Sequence, residues 1–311
     1  MSGWRAALVA LVVGAVILGI GYLVPRLGTD GTAPDAGNGG EDTSGVVLAC
    51  APAIQEACTL VAAELELSTV SWQPGASLPD RHVLIAPAAD LPEGAVQGPP
   101  LLESPIVVGA WLERSQILSA RCGSIDVECV VGALGSRWEE LGGNDTWGDF
   151  KIGLADPTTS DAGMLAFSLL SPVADRGDLA TSLRLVTTDD DRLTEDMVLF
   201  GDSRADLVIT TEIAVFKQMS NAIGRGGRLE IFYPTSSPWV EYVTSAQGFG
   251  AGRVVERLSE PSSARLFASA GIRPASGSWD MPAELGTPGP KASPPDPATR
   301  ATLVEAWERL R

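Results

Sequence analysis

The stretch KIGLADPTTSDAGMLAFSLL (residues 151–170) decides the fold of this chain. Its short apolar run ends at an Asp-Pro pair, and proline stops a central strand because it has no backbone N–H to donate. The next four residues, TTSD, all favour the N-cap of a helix, and an apolar-periodic segment follows them. The stretch therefore predicts a strand whose carboxyl end opens onto a helix N-terminus. Free N–H groups and the helix dipole make such a corner a natural place to hold a ligand.

Strand and helix patterns alternate along most of the remaining chain. Strands are expected at residues 46–50, 67–72, 82–86, 106–110, 206–210 and 229–233, and helices at residues 54–66, 112–118, 125–138, 211–219, 246–258 and 262–270. This alternation predicts the α/β class with largely parallel sheets.

The composition excludes some classes of partner. The chain has 311 residues, 45% of them hydrophobic, and a formal net charge of −17. Nucleic-acid phosphates need lysine and arginine, so the acidic balance argues against a nucleic-acid partner. It also disfavours contact with anionic lipid headgroups. A globular protein with some other partner is expected.

Catalytic signatures are scarce. The single histidine, His82, stands in an apolar strand-like context (RHVLIA) that favours a structural role over a general base. No Ser–His–Asp order and no Gly-x-Ser-x-Gly elbow stands out. The acidic run at residues 189–191, with Glu195 and Asp196, lacks the glycine and final glutamate spacing of a calcium loop, so a solvated surface loop is expected there. The sequence predicts no enzyme and implies no cofactor.

The N-terminus predicts a membrane anchor. Residues 6–24 carry no charge. At about 1.5 Å per residue they match a hydrocarbon core of about 30 Å. A cleaved signal sequence is the alternative, but its apolar region is usually shorter and a small-residue cleavage site should follow. Residues 25–45 are glycine-rich and acidic, which predicts a flexible linker. The chain is therefore expected to be a single-pass membrane protein.

The four cysteines form two local pairs, Cys50 with Cys58 and Cys122 with Cys129. Four cysteines allow three connectivities, of which the one that uses both local pairs is preferred here. Disulfides indicate an oxidising compartment, so an extracytoplasmic globular domain is expected. Four buried free thiols in a cytosolic protein remain the alternative.

Five segments in order resemble extracellular solute-binding proteins of the type II periplasmic fold. The first is VVLACAPAIQEACTLVAAE (residues 46–64), and the others are residues 103–110, 152–165, 205–215 and 259–277. The resemblance implies a two-lobed α/β domain over residues 46–277. Lobe 1 would comprise residues 46–104 and 236–277, and lobe 2 residues 105–235.

Within that superfamily the chain is most similar to solute-binding-like modules that precede a von Willebrand factor A domain in actinobacterial membrane proteins. The resemblance includes the proline-rich tail at residues 278–311, in which a short amphipathic helix with Trp307 is expected near residues 298–310. No Asp-x-Ser-x-Ser metal motif occurs in the sequence, so the adhesion function of that second domain is not carried over.

The resemblance also implies a function and a site. It implies a membrane-anchored extracytoplasmic protein that binds a small polar solute between its lobes, with a permease of ABC-type transport or another envelope protein as partner. Positions that match the family's ligand-holding loops are Pro52, Thr158, Thr159, Ser160, Thr211, Glu212 and Tyr233. Helix capping is an alternative role for the hydroxyls. The alternative function is a scaffold of the cell envelope that keeps the binding fold without a ligand.

Overall fold

A computed structural model describes residues 43–311 of the chain. Its strands, numbered along these residues, are β1 (Val47–Cys50), β2 (Ser68–Ser71), β3 (His82–Pro87), β4 (Pro100–Trp111), β5 (Ile152–Ala155), β6 (Leu183–Thr187), β7 (Leu207–Thr211), β8 (Leu229–Phe232), β9 (Trp239–Gln247) and β10 (Arg273–Pro274). Its α-helices are α1 (Gln55–Leu65), α2 (Leu112–Cys122), α3 (Val127–Val131), α4 (Asp161–Leu170), α5 (Arg176–Ser182), α6 (Asp190–Phe200), α7 (Glu212–Gly224), α8 (Ala251–Leu258), α9 (Pro261–Ser269) and α10 (Pro297–Leu310).

The strands form one mixed sheet with the order β2-β1-β3-β9-β4-β7-β5-β6, and β8 and β10 also pair with β4. Pairing is parallel at the two ends, where β1 joins β2 and β3, and β5 joins β6 and β7. In the centre β9 runs antiparallel to both β3 and β4, and β4 runs antiparallel to β7. The α/β class is confirmed, but the prediction of largely parallel sheets holds only for the outer strands.

Strand β4 belongs to both halves of this sheet. Its residues 100–105 pair with β9, whereas residues 106–111 pair with β7 and β8. The first half of the sheet therefore contains β1, β2, β3, β9 and β10, and the second half contains β5 to β8. The predicted change of lobe between residues 104 and 105 lies one residue before this change of partner. The predicted lobe boundaries as a whole stay a prediction.

Two predicted helices are wrong in extent. Residues 125–138 contain only the short α3, because Gly132 ends the helix and turns at Gly135 follow it. Residues 246–247 belong to β9, and the helix expected over 246–258 begins only at Ala251. Strand β9 is not among the predicted strands, because its strand character comes from its place between β3 and β4 in the sheet.

Both predicted disulfides are present. Cys50–Cys58 joins the end of β1 to α1, and Cys122–Cys129 joins the end of α2 to α3. The expected anchor at residues 6–24 and nearly all of the expected linker lie outside the described residues. Within residues 43–311, no helix combines the length and the apolar character that a membrane crossing requires.

The opening stretch folds as predicted. Strand β5 is buried throughout, and α4 packs back on it through a close approach at Gly163. A Cβ at Gly163 would overlap the carbonyl group of Ala155, so only glycine fits this contact. The close approach fixes the N-terminus of α4 directly beside the carboxyl end of β5.

Candidate functional site

A cavity of about 570 Å³ lies where the parallel strands of both sheet halves end. Most of its wall follows the carboxyl ends of β1, β3, β5 and β6: residues 51–53, residues 87 and 90, residues 159–162, and residues 188–192. Two side chains of β9, Val240 and Tyr242, also line it, together with Gln73, Pro74 and Glu195. Open α/β sheets hold ligands at the carboxyl ends of their strands, so this is the candidate site.

Three of the predicted site residues, Pro52, Thr159 and Ser160, line this cavity. Ser160 also caps α4, because its Oγ accepts a hydrogen bond from the N–H of Gly163 at 3.0 Å. Thr158 does not line the cavity, since its N–H and its Oγ1 both donate to Asp156 Oδ1, at 2.9 and 2.6 Å. The capping role is confirmed for Ser160, and contact with a ligand stays a prediction.

The other three predicted residues do not line the cavity. Thr211 lies behind its wall, where its Oγ1 donates to Asp190 Oδ2 at 2.7 Å. Glu212 and Tyr233 lie at the junction of the sheet halves and bind each other, since the Tyr233 hydroxyl donates to Glu212 Oε1. Arg273 holds the same carboxylate through two hydrogen bonds, from Nε to Oε2 at 2.8 Å and from Nη2 to Oε1 at 2.7 Å.

This junction cluster links the two halves of the sheet, and contact of Glu212 or Tyr233 with a ligand stays a prediction. Glu212 begins α7 and is 1% exposed, whereas Arg273 belongs to β10 on the first half of the sheet. Burial, and then the neighbouring Glu212 charge, raise the pKa of Tyr233 above its ordinary range. The ion pair thus ties α7 to β10, and its polar atoms are already engaged.

Six carboxylates dominate the cavity wall, and none of them is among the predicted ligand-binding residues. They are Asp90, Asp161, Asp189, Asp190, Asp191 and Glu195. Burial, and then repulsion from Asp161, raise the pKa of Asp90 to about 6. Burial, and then the charge of Asp191, raise the pKa of Asp190 to about 6. The cavity therefore concentrates negative charge in a partly dehydrated place.

The acidic run at residues 189–191 was predicted as a solvated loop, and this is wrong. Asp189 is the N-cap of α6, because its Oδ1 accepts a hydrogen bond from the N–H of Arg192 at 2.8 Å. Asp190 and Asp191 form the first turn of that helix, where carboxylates favour the dipole. The buried Leu193 and Met197, four residues apart, were the available sequence signal for an amphipathic helix.

The C-terminal helix α10 packs beside the site. Trp307 is 1% exposed and meets the ring of Phe167 in α4 edge-to-face, with 5.2 Å between the ring centroids. Arg300 Nη1 lies 2.7 Å from Asp161 Oδ1, so it partly neutralises one carboxylate of the cavity wall. The helix expected near residues 298–310 is therefore present, and it supports the N-terminus of α4.

His82, the single histidine, lies away from this cavity. It is 4% exposed at the start of β3, and its Nδ1 lies 2.6 Å from the carbonyl oxygen of Pro79. This position agrees with the structural role that the sequence predicts.

Solved structures with the same fold include a periplasmic binding protein, AfuA from Actinobacillus pleuropneumoniae, determined with fructose-6-phosphate bound. It has a TM-score of 0.56 and 10% identity, covering 86% of this chain and 98% of that chain. The chain has the fold of periplasmic solute-binding proteins. A two-component system protein that mediates signal transduction has a TM-score of 0.50 and 12% identity, covering 73% of this chain and 85% of that chain. At these identities the similarity establishes the fold alone.

No family model and no curated protein sequence matches the chain.

Proposed function

We propose that this chain is a membrane-anchored, extracytoplasmic solute-binding protein that holds a small polar solute between two lobes. The observation that carries the proposal is a cavity of about 570 Å³ to which strand ends of both sheet halves contribute. Ligand contact in such a place favours closure of one half on the other, a hinge motion. The crossing strands β4 and β9 would be the hinge.

Further features support the proposal. The fold is shared with a periplasmic protein that was determined with fructose-6-phosphate bound. Two disulfides suit an oxidising compartment. The apolar residues 6–24 would supply the anchor, and a permease or another envelope protein would receive the solute. The sequence resemblance to modules that precede von Willebrand factor A domains belongs to the same proposal.

Thermal unfolding of the full chain with a panel of neutral, anionic and cationic solutes tests the proposal. A solute at about one hundred times its Kd stabilises the native state by about 2.7 kcal/mol. For a domain of this size that corresponds to a rise in Tm of about 5–10 °C. Thr188→Trp, at the cavity wall, should abolish the rise, whereas the same substitution at the exposed Thr181 should leave it unchanged. If the solute raises the Tm of Thr188→Trp as much as that of wild type, the solute binds outside this cavity.

A scaffold function is the alternative, and one observation favours it. A larger cavity of about 880 Å³ lies between α1 and α7, and its lining includes Leu60 and Ile223. These two apolar side chains are 48% and 64% exposed, which suits a protein partner. The scaffold function predicts that no solute raises the Tm, and that substitutions on α1 and α7 weaken binding to an envelope protein.

A further inference from the structure

The charge of the candidate cavity is one-sided. Six carboxylates line it, against the single guanidinium of Arg192. The Arg192 side chain is 59% exposed. Its guanidinium pairs at 3.1 Å with Asp196, a residue outside the cavity lining. Two carboxylates are partly neutralised from behind the wall, Asp161 by Arg300 and Asp191 by Lys217. The others keep their charge facing the cavity.

Asp90 and Asp190 approach the cavity from opposite halves of the sheet. Asp90 follows β3 in the first half, and Asp190 begins α6 after β6 in the second half. Within residues 43–311 the Asp90 side chain has no hydrogen-bond or ion-pair partner. Asp190 accepts one hydrogen bond, from the hydroxyl of Thr211. Residues 43–311 therefore supply no cation that pairs with either carboxylate.

Tyr242 is an independent sign of a ligand. It is 1% exposed, lines the cavity from β9, and has a hydroxyl without any hydrogen-bond partner among the described residues. Burial, and then the charges of Asp190 and Asp191, raise the pKa of this hydroxyl, so it stays protonated. The side chain is buried apart from its contact with the cavity, and the polar groups of such buried side chains normally have a partner. Here a bound ligand would supply it.

We propose that the cavity binds a small organic cation, an amine whose ammonium group lies between Asp90 and Asp190 beside the Tyr242 hydroxyl. This inference rests on the proposed solute-binding function and names the charge class of the solute. An ammonium group offers the hydrogen-bond donors that two carboxylates and a hydroxyl oxygen accept. It also removes the repulsion between carboxylates of the two halves, so binding favours closure.

A metal ion and an anion fit the cavity less well. Among residues 43–311, no three acidic, histidine or cysteine side chains come together closely enough to hold a metal ion. An anion would meet six carboxylates and lose its hydration without gaining a free cation. The charge of the solute therefore differs here from that of the phosphate ester in the structure of AfuA.

Isothermal titration of the full chain with putrescine, spermidine and choline tests the inference. Glucose, glucose 6-phosphate and Ca²⁺ alone serve as the neutral, anionic and metal arms. Asp90→Asn and Asp190→Asn should each weaken amine binding about tenfold or more, and Tyr242→Phe should weaken it several-fold. Asp145→Asn, at an exposed position outside the cavity lining, is the matched control and should change nothing.

The pH adds a second readout. Asp90 and Asp190 are about half protonated at pH 6, so an ammonium ion that binds them should expel protons. Titrations in two buffers with different ionisation enthalpies measure this release. Affinity should rise as the pH increases from 5 to 7.5. The charged groups that face these two carboxylates are Asp161, Asp189, Asp191, Arg192 and Glu195.

Each outcome decides between the proposals. Amine binding that releases protons and weakens in both aspartate variants supports the inference. Binding of glucose or glucose 6-phosphate without any amine overturns the charge class and leaves the solute-binding function standing. Binding of Ca²⁺ alone overturns it as well. Absence of binding in all arms overturns the inference and favours the scaffold function.

Discussion

Asp190→Asn should stabilise the fold at neutral pH. The variant keeps an oxygen that accepts the Thr211 hydrogen bond but removes a charge held in a dehydrated place. Burial, and then the Asp191 charge, raise the pKa of Asp190 from 3.8 to about 6. The native state thus holds the proton more tightly than the unfolded chain does. The free energy of unfolding therefore falls as the pH rises from about 4 to about 6.

The size of the effect follows from the two pKa values. At about 1.4 kcal/mol per pH unit, the difference between 3.8 and about 6 corresponds to about 3 kcal/mol above pH 7. Asp190 as a residue is only half-buried, so we reduce this figure for screening by solvent. We expect Asp190→Asn to gain about 1–2 kcal/mol at pH 7.5.

Urea unfolding at pH 7.5 and pH 4.5 measures the gain. At pH 4.5 the native wild-type carboxyl is largely protonated, so the advantage of asparagine should fall to about half or less. Asp145→Asn is the matched control, because Asp145 is exposed and lies outside the cavity lining. This variant should change the free energy of unfolding by less than about 0.5 kcal/mol at either pH. The reasoning is refuted if Asp190→Asn is less stable than wild type at pH 7.5. It is also refuted if the gain in free energy of unfolding over wild type is the same at both pH values.

Three substitutions test the packing around the site. Trp307→Ala should lower the free energy of unfolding by about 3–5 kcal/mol, as measured by urea unfolding. It should also release α10 from α4, so that a protease cleaves the segment after residue 296 faster than in wild type. Gly163→Ala should cost about 1–3 kcal/mol, since its Cβ meets the carbonyl group of Ala155, and Tm reports it. Arg273→Met should lower the free energy of unfolding by about 3–5 kcal/mol, because Glu212 stays buried without its partner. If the double variant with Glu212→Gln recovers stability, the loss comes from the unpaired charge and not from lost packing.

The local chemistry of the opening stretch could be predicted from sequence because it depends on neighbours in the chain. Proline ends a strand and a hydroxyl caps a helix whatever surrounds them, and Ser160 does cap α4. The two disulfides could be predicted for the same reason, since the paired cysteines are only 7 or 8 residues apart. Strand β9 could not be predicted from local sequence, because its strand character comes from its position between β3 and β4 in the centre of the sheet.

The site was predicted only in part, because its residues come from distant segments. Thr159 and Ser160, both predicted as ligand contacts, line the cavity. Asp90 and Asp190 are 100 positions apart in the chain, and only the sheet order brings them to the same cavity. Glu212 stands at a strand end that suggests a ligand contact. Nothing in the sequence indicates that Arg273, 61 residues later, occupies it.

The carboxylates of the cavity wall are better explained by binding than by folding. A charge that lowers stability at neutral pH persists where function requires it, and stabilising substitutions at such places commonly impair activity. The fold alone determines that strand ends meet at one cavity, whereas the side chains on those ends determine the charge of the solute. In this chain the charges come from both halves and repel across the cavity. A cation between them therefore both binds and closes the site, so affinity and closure should change together in Asp90→Asn. Small-angle scattering at a saturating amine concentration measures the closure. If Asp90→Asn binds the amine more weakly but still closes as fully as wild type, repulsion between carboxylates does not hold the two halves apart.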